Sequence, residues 1–407
     1  MTEYSVGSMF AGVGGICLGF QMAFNNKSKY VLKWANEIDE NACKIYGLNF
    51  KHKLITGDIN FIISPEKVKN VDFSNHTTGD STCCLSSNCK KAKQNFYNFD
   101  YYSDKHKQII EEPIDILTAG FPCQAFSIAG EKKGFNDSRG NLFLSIINLV
   151  KLLEIKFYKP RVIFLENVKN LKSHDEGRTY KVIKEKLEEC GYRIKDCIIN
   201  TKDFSQLPQN RERIYIIGFR DIEDYSRFSF DEIARTHKKD YSVDERIKQF
   251  SGIIDSKIKF ESNAQYYYTK EKYPIYFDNT DEENKESKKT KINIEKEITE
   301  EYQFYQIRRG QYIRKNKSNV CPTLTANMGM GGHNVPIIKV KDGIRRITPK
   351  EAYKLQGFPI DTDYFLANKE QDIQLSDCHL YKQAGNSVSV PVVELLANEL
   401  LRVLDKE

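Results

Sequence analysis

Short apolar segments, separated by glycine-rich or polar turns, recur along the first 220 or so residues of the chain. YSVGSMF (4–10), YVLKWANE (30–37), KLITGD (53–58), IDILTAGF (114–121), RVIFLEN (161–167) and RIYIIGF (213–219) are rich in Ile, Leu, Val and Phe. Runs of this kind read as strands buried on both faces. Between them GGICLGFQMAF (14–24), ENACKIYGLNF (40–50), NLFLSIINLVKLLEI (141–155) and TYKVIKEKLEECG (179–191) carry helical periodicity, the last stopping at Gly191. The alternation predicts an α/β fold with a mostly parallel sheet and helices on both faces. The rhythm breaks between about 221 and 340. NAQYYYTKEKYPIYF (263–277) and YQFYQIRRGQYIRKNK (302–317) are aromatic and basic, and the Lys/Glu-rich stretch between them reads as a solvated insertion. Their tyrosines, with Arg308, Arg309 and Arg314, have two open readings: contacts to a nucleic-acid groove, or the core of a small β-rich unit. GNSVSVPVVELLANELLRVL (385–404) returns to a helical pattern.

The polar residues at the ends of the apolar runs change the picture. The first run is followed by FAGVGG, the second ends at Glu37, and the third ends at Asp58. The next two lead to Cys123, in GFPCQAFS (120–127), and to Glu166. If the strands are parallel, these features share the carboxyl edge of the sheet, where α/β proteins bind ligands. Gly12, Gly14 and Gly15 allow a tight turn and close approach of a ligand. The dinucleotide fingerprint G-x-G-x-x-G fails, because Cys17 occupies its third glycine position. Glu37, 25 residues after Gly12, is placed for ribose hydroxyls and Asp58 for an adenine amino group. That set suits S-adenosylmethionine better than NAD.

Composition narrows the setting. Apolar residues make up 40% and charged residues 29%, with a net charge of +6. The charge is compatible with a polyanionic partner without demanding one. No stretch reaches the roughly 18–20 apolar residues of a membrane span, and no secretory signal is visible. A cytoplasmic protein with free thiols is expected, since ten scattered cysteines do not form a disulfide framework. His76, Cys83, Cys84 and Cys89 fall in an apparent insertion at 60–112 without paired C-x-x-C spacing, so no metal is expected. Trp34, the single tryptophan, is expected in the core.

Taken as an ordered series, these stretches resemble the DNA cytosine-5 methyltransferases, of the bacterial or phage restriction–modification type. SMFAGVGGICLGF is similar to the cofactor loop, NEID and GDI to the second and third blocks, and GFPCQAFS to the nucleophile block. ENV (166–168), QNRERIYIIGF from Gln209, RRITPKEAYKLQGFP from Arg345 and QAGNSVSVPV from Gln383 follow in family order. The resemblance implies a Rossmann-like S-adenosylmethionine-dependent large domain plus a small, irregular, β-rich target-recognition domain. The expected divisions are 1–220 for the catalytic domain, 221–340 for target recognition, 341–382 for a hinge, and 383–407 for a helix completing the large domain.

The resemblance also implies roles. Cys123 is the nucleophile toward carbon 6 of a flipped-out cytosine, and Pro122 stiffens its loop. Glu166 serves the ring nitrogen N3, Arg213 the cytosine O2, and Arg211 supports Arg213. Phe10, Gly12, Gly14, Glu37, Ile38, Asp58, Pro122 and Asn386 fall on the cofactor side. Ile38 departs from the family, which often has an aromatic residue there, so adenine would rest on an aliphatic side chain. Ser127, Arg139 and Gln209 fall on the DNA side. Within SIAGEKKGFNDSRGNLF (127–143), Lys132, Lys133 and Arg139 have two open readings, phosphate contacts or plain solvated surface. The implied partner is duplex DNA, with a cognate nuclease acting separately, no membrane, and a monomeric enzyme yielding S-adenosylhomocysteine. A tRNA cytosine-5 methyltransferase and a nucleotide-binding oxidoreductase are the alternatives.

Overall fold

The computed structural model describes residues 3–24, 29–66, 99–121, 142–277, 292–308, 310–329, 335–360, 362–368 and 373–405. Seven strands form the main sheet: β1 (Glu3–Met9), β2 (Lys29–Glu37), β3 (Lys53–Thr56), β4 (Ile116–Gly120), β5 (Val162–Val168), β6 (Arg193–Asn200) and β7 (Glu212–Phe219). Their order is β3-β2-β1-β4-β5-β7-β6. The first five are parallel, and β7 runs antiparallel to both β5 and β6. Strand order reverses between β1 and β4, which opens a crevice at their carboxyl ends.

The apolar runs are continuous because both faces of the sheet are covered. Along β5, Val162 and Phe164 join one core while Ile163 and Leu165 join the other. Along β7, Tyr215 and Ile217 alternate in the same way with Ile214 and Ile216. The first core is closed by α1 (Gly15–Phe24) and α2 (Glu40–Asn49), the second by α3 (Ile59–Ile63), α4 (Phe99–Ile110), α5 (Leu142–Ile155) and α6 (Arg178–Glu189). Trp34 is fully buried in the second core. A Cβ on Gly7 would stand 2.5 Å from its ring, so only glycine lets β1 pass there.

Strand β6 was not anticipated from the pattern. RIKDCIIN carries Arg193, Lys195 and Asp196 and occupies the sheet edge, where one side of the strand stays wet. The chain returns through α7 (Pro349–Leu355), α8 (Asp377–Asn386) and α9 (Val390–Leu404). Helix α9 packs on α1 so closely that a Cβ on Gly19 would stand 2.7 Å from Val393 Cβ.

A second sheet, entirely antiparallel, contains β8 (Tyr305–Arg308), β9 (Tyr312–Lys315), β10 (Ile337–Val340) and β11 (Gly343–Arg346), in the order β11-β10-β8-β9. Its core includes Tyr276, Ile294, Tyr305, Ile307, Ile337 and Ile344. The core reading therefore holds for Tyr276 and Tyr305; Tyr266 and Tyr267 are buried in the first core instead, and Tyr312 is exposed. Arg309 lies outside the described residues.

Two packing arrangements cross the divisions expected from the sequence. Residues 222–237 pack on the large unit: Phe228 and Ile233 share a core with Phe219, and buried Asp224 accepts hydrogen bonds from Arg161 Nε and Nη2 at 2.6 and 2.8 Å. Strand β11, at 343–346, belongs to the small sheet although it falls within the segment expected to be a hinge. The return is braced by a buried pair in which Arg345 donates to both Glu351 oxygens at 2.7 and 2.8 Å. Glu351 also caps its own helix through Thr348.

Candidate active site at the carboxyl ends of the central strands

The turn after β1 is tight. Phe10, Gly12 and Gly14 all adopt positive φ (54°, 55° and 88°), the left-handed region that glycine enters without strain. Gly14 N donates back to Ala11 O at 2.8 Å, and Ala11 N to Asn36 O at 2.9 Å. The loop is thereby fastened to the end of β2, where Glu37 stands. The Glu37 carboxylate accepts three backbone N–H groups, from Gly12 (2.7 Å), Ile38 (2.8 Å) and Asp39 (2.8 Å). Its side chain is 9% exposed. Burial pushes its pKa up, and the three N–H donors pull it partly back. The next residue, Ile38, is 54% exposed, an apolar surface left open at the rim. Asp39 then caps α2, and Asp58 caps α3 through Asn60 N at 2.9 Å.

Asn36 has a role the sequence reading did not assign. Fully within the protein, its Nδ2 donates to Ile55 O (2.9 Å) and Gly57 O (3.0 Å). It therefore holds the end of β3, and with it Asp58, beside the end of β2. A buried amide just before a strand-end acid was the only signal available for it.

The central strands carry the second half. In register, Gly120 on β4 pairs with Glu166 on β5, and Glu166 with Tyr215 on β7. Arg213 pairs with Val168, so it is the diagonal neighbour of Glu166, within reach of a long side chain. Arg213 Nε lies 3.0 Å from Glu166 Oε1. The two form an ion pair whose geometry leaves that oxygen without an aligned hydrogen-bond donor among the described residues. Glu166 is 7% exposed, so this is a buried carboxylate with unspent accepting capacity. Asn167, quoted within ENV but given no role from sequence, donates from Nδ2 to Phe121 O at 2.9 Å. It fixes Phe121, the last described residue of GFPCQAFS.

Arg211 and Gln209 do different work from their neighbour. Arg211 is buried and donates to the carbonyls of Leu324 (3.0 Å), Gly385 and Ser387. Gly385 and Ser387 flank Asn386, so Arg211 fixes the backbone on both sides of that residue. Burial lowers the Arg211 pKa to about 9, which leaves it charged at neutral pH. Gln209, expected on the DNA side, has no exposed surface. Its amide nitrogen donates to Leu355 O at 2.7 Å and Gln356 Oε1 at 3.2 Å, so it joins α7 to the segment before β7.

One cavity of about 590 Å³ gathers Phe10, Gly12, Glu37, Ile38, Asp58, Glu166, Arg211, Arg213 and Asn386. Gly14 is beneath it, against Phe50 and Tyr46. Pro122, Cys123, Ser127 and Arg139, and likewise Lys132, Lys133, His76, Cys83, Cys84 and Cys89, lie outside the described residues. No cluster of metal-ligating side chains occurs among the described residues. None of the described helices is long and apolar enough to cross a membrane.

The family described as C-5 cytosine-specific DNA methylase matches residues 4–74 and 68–402. The chain is 40% identical over 399 residues to the type II methyltransferase M.Bsp6I of Bacillus sp. (strain RFL6), covering 98% of each. It is 32% identical over 406 residues to M.HpaII of Haemophilus parainfluenzae, covering 97% of this chain and 88% of the relative. Among solved structures, the S. pombe Dnmt2 methyltransferase superposes with a TM-score of 0.57 at 18% identity, covering 99% of this chain and all of that one. A putative DNA modification methyltransferase from a prophage of E. coli gives 0.53 at 20%. Those two likenesses speak for the fold; the family match and the identity to the type II enzymes over nearly the whole length speak for the chemistry. The chain belongs to the C-5 cytosine-specific DNA methylases.

Proposed function

We propose that the 590 Å³ cavity binds S-adenosylmethionine at the β1–β3 ends and a flipped cytosine at the β4–β5–β7 ends. The observation that carries this reading is the convergence of two buried carboxylates with different surroundings, Glu37 held by three backbone N–H groups and Glu166 held by Arg213. The residues fit the nucleoside. Glu37 faces the cavity as an acceptor for ribose hydroxyls, Ile38 and Phe10 offer apolar surface to the adenine, and Asp58 stands beside them. At Gly12 no heavy atom lies within 4 Å of where a Cβ would be, which leaves room for close approach. When bound, S-adenosylmethionine supplies an electrophilic methyl group.

On the cytosine side, the Cys123 thiolate adds to carbon 6, and the ring electrons shift to carbon 5, making it the nucleophile. Glu166 holds the proton at N3, and Arg213 binds O2 while keeping the Glu166 carboxylate in place. After methylation, water takes the carbon 5 proton, and the electron pair left at carbon 5 re-forms the ring double bond and expels the Cys123 thiolate from carbon 6. Extrusion of the base from the duplex costs a few kcal/mol. A second cavity, of about 810 Å³, lies between the units. Lys202 and Asn210 line it on one side and Gln306, Arg308 and Arg314 of the β8–β9 hairpin on the other. We assign it to the DNA backbone and groove. The enzyme acts as a monomer in the cytoplasm, with a cognate nuclease acting separately.

The test is transfer of tritiated methyl groups to duplex DNA and, in parallel, to tRNA. Label in DNA alone is expected. Label in tRNA alone overturns the reading in favour of the tRNA enzyme.

A further inference from the structure

The loop that carries Gly12 is held by a side chain from the far end of the chain. Tyr364 is buried, and its hydroxyl donates to the carbonyl of Val13. Val13 lies between Gly12 and Gly14, at φ +55° and +88°. A glycine on either side of Val13 leaves the flanking peptide planes weakly restrained by local sterics. The Val13–Gly14 peptide plane is held at its N–H by Ala11 O (2.8 Å) and at its carbonyl by the Tyr364 hydroxyl.

The donor is well defined. Burial pushes the Tyr364 pKa well up, so the phenol stays protonated and donates throughout the neutral range. Its ring is set against Phe358, with centroids 4.7 Å apart and planes at 62°. The segment that carries it is docked in turn. Asn49, at the end of α2, donates from Nδ2 to Phe365 O (2.9 Å) and accepts from Phe365 N at Oδ1 (2.7 Å). Helix α2 starts at Glu40, behind its cap Asp39, just after Glu37 and Ile38. One short segment therefore ties down both the loop with Gly12 and the helix behind the Glu37–Ile38 rim.

We propose that Tyr364 is a positioning residue for S-adenosylmethionine. By pinning the Val13 carbonyl it fixes the turn between Gly12 and Gly14 and keeps this part of the cavity wall in its binding shape. The proposal rests on the cavity being the S-adenosylmethionine site, and its test separates the two claims.

The full-length chain and its Tyr364→Phe variant are titrated with S-adenosylhomocysteine by calorimetry and assayed for methyl transfer to DNA. Loss of one hydrogen bond to a buried carbonyl is expected to weaken S-adenosylhomocysteine binding about 5- to 20-fold. KM for S-adenosylmethionine rises by the same factor, while kcat at saturating cofactor and KM for DNA stay within about two-fold. Asn49→Ala, at a more accessible position, should give the same split at about 2- to 5-fold. A Tyr364→Phe protein that folds and binds S-adenosylhomocysteine within two-fold of the parent overturns the proposal and leaves the site reading intact. So does a joint loss of kcat and DNA affinity, the signature of general loosening. Should Tyr364→Phe not fold, unchanged affinity in Asn49→Ala overturns it. A parent chain that binds no S-adenosylhomocysteine overturns the site reading and the proposal together.

Discussion

Gly12 and Gly14 are two residues apart, both in the left-handed region, yet a methyl group added at each would meet different surroundings. At Gly12 nothing lies within 4 Å of the added Cβ. At Gly14 it would fall 2.2 Å from Phe50 Cε2, 2.7 Å from Phe50 Cζ and 3.0 Å from Tyr46 Cε2. An L-residue held in this conformation costs roughly 1–2 kcal/mol, and that is the whole expected cost of Gly12→Ala to the free protein. Gly14→Ala adds overlap with a ring already stacked on Tyr46 at 4.5 Å. Overpacking of this kind costs roughly 1–3 kcal/mol, so the total is about 2–5 kcal/mol. The order reverses for binding. The space at Gly12 is the cavity itself, whereas the methyl of Gly14→Ala would point into the protein. Thermal unfolding with and without S-adenosylhomocysteine separates the two effects. At a hundredfold excess over Kd the ligand stabilises the parent by about 2.7 kcal/mol. Gly12→Ala should unfold near the parent without ligand and lose most of the ligand-induced shift. Gly14→Ala should unfold well below the parent and keep a shift once ligand saturates it. A full ligand shift in Gly12→Ala, or a Gly14→Ala protein as stable as the parent, refutes the loop geometry argued above.

Further expectations concern single groups. Because burial raises the Glu37 pKa above 4.5, the folded protein holds this proton at pH values where the unfolded chain has lost it. Its contribution to stability therefore declines as pH rises from 4.5 through the raised value. Ribose hydroxyls favour the carboxylate, so S-adenosylhomocysteine affinity should fall as pH drops through the same window. In Glu37→Gln that dependence should disappear; a pH-independent parent counts against the assignment. Glu166→Gln keeps the shape beside Arg213 but removes the carboxyl group. It should lower kcat about 10²- to 10⁴-fold with S-adenosylhomocysteine binding nearly unchanged, and a loss below about tenfold contradicts the role. Arg211→Met leaves the carbonyls of Leu324, Gly385 and Ser387 without their donor. Denaturant unfolding should show a loss of about 2–4 kcal/mol, and undiminished stability with lost kcat would mean that Arg211 acts on the reacting base instead.

The large unit was legible because its strands are buried twice over, which writes them as unbroken apolar runs. The strand-end rule then placed Glu37, Asp58 and Glu166 on one edge, and the cavity contains all three. Strand β6 escaped because an edge strand need not be apolar, and its charges masked its period. The helices within 222–237 escaped because they carry few apolar residues, Phe228 and Ile233 among them. Gln209 shows the limit of a motif: the block places it beside Arg211, but only the fold shows that its amide nitrogen donates to Leu355 and Gln356. Asn36, Asn167 and Tyr364 were unreadable for a related reason. Each acts on a backbone carbonyl far away in sequence, and carbonyls leave no trace in the residue alphabet.

The central claim is that Cys123 forms a covalent bond to the target cytosine. It is tested by incubating the enzyme and its Cys123→Ser variant with S-adenosylmethionine and duplex DNA containing 5-fluorocytosine at the modified site. Fluorine at carbon 5 blocks the final elimination, so a thioether to carbon 6 persists through denaturing electrophoresis. The expected result is a DNA–protein adduct with the parent and none with Cys123→Ser, which should still bind S-adenosylhomocysteine. An adduct that survives the Cys123→Ser substitution would contradict the mechanism.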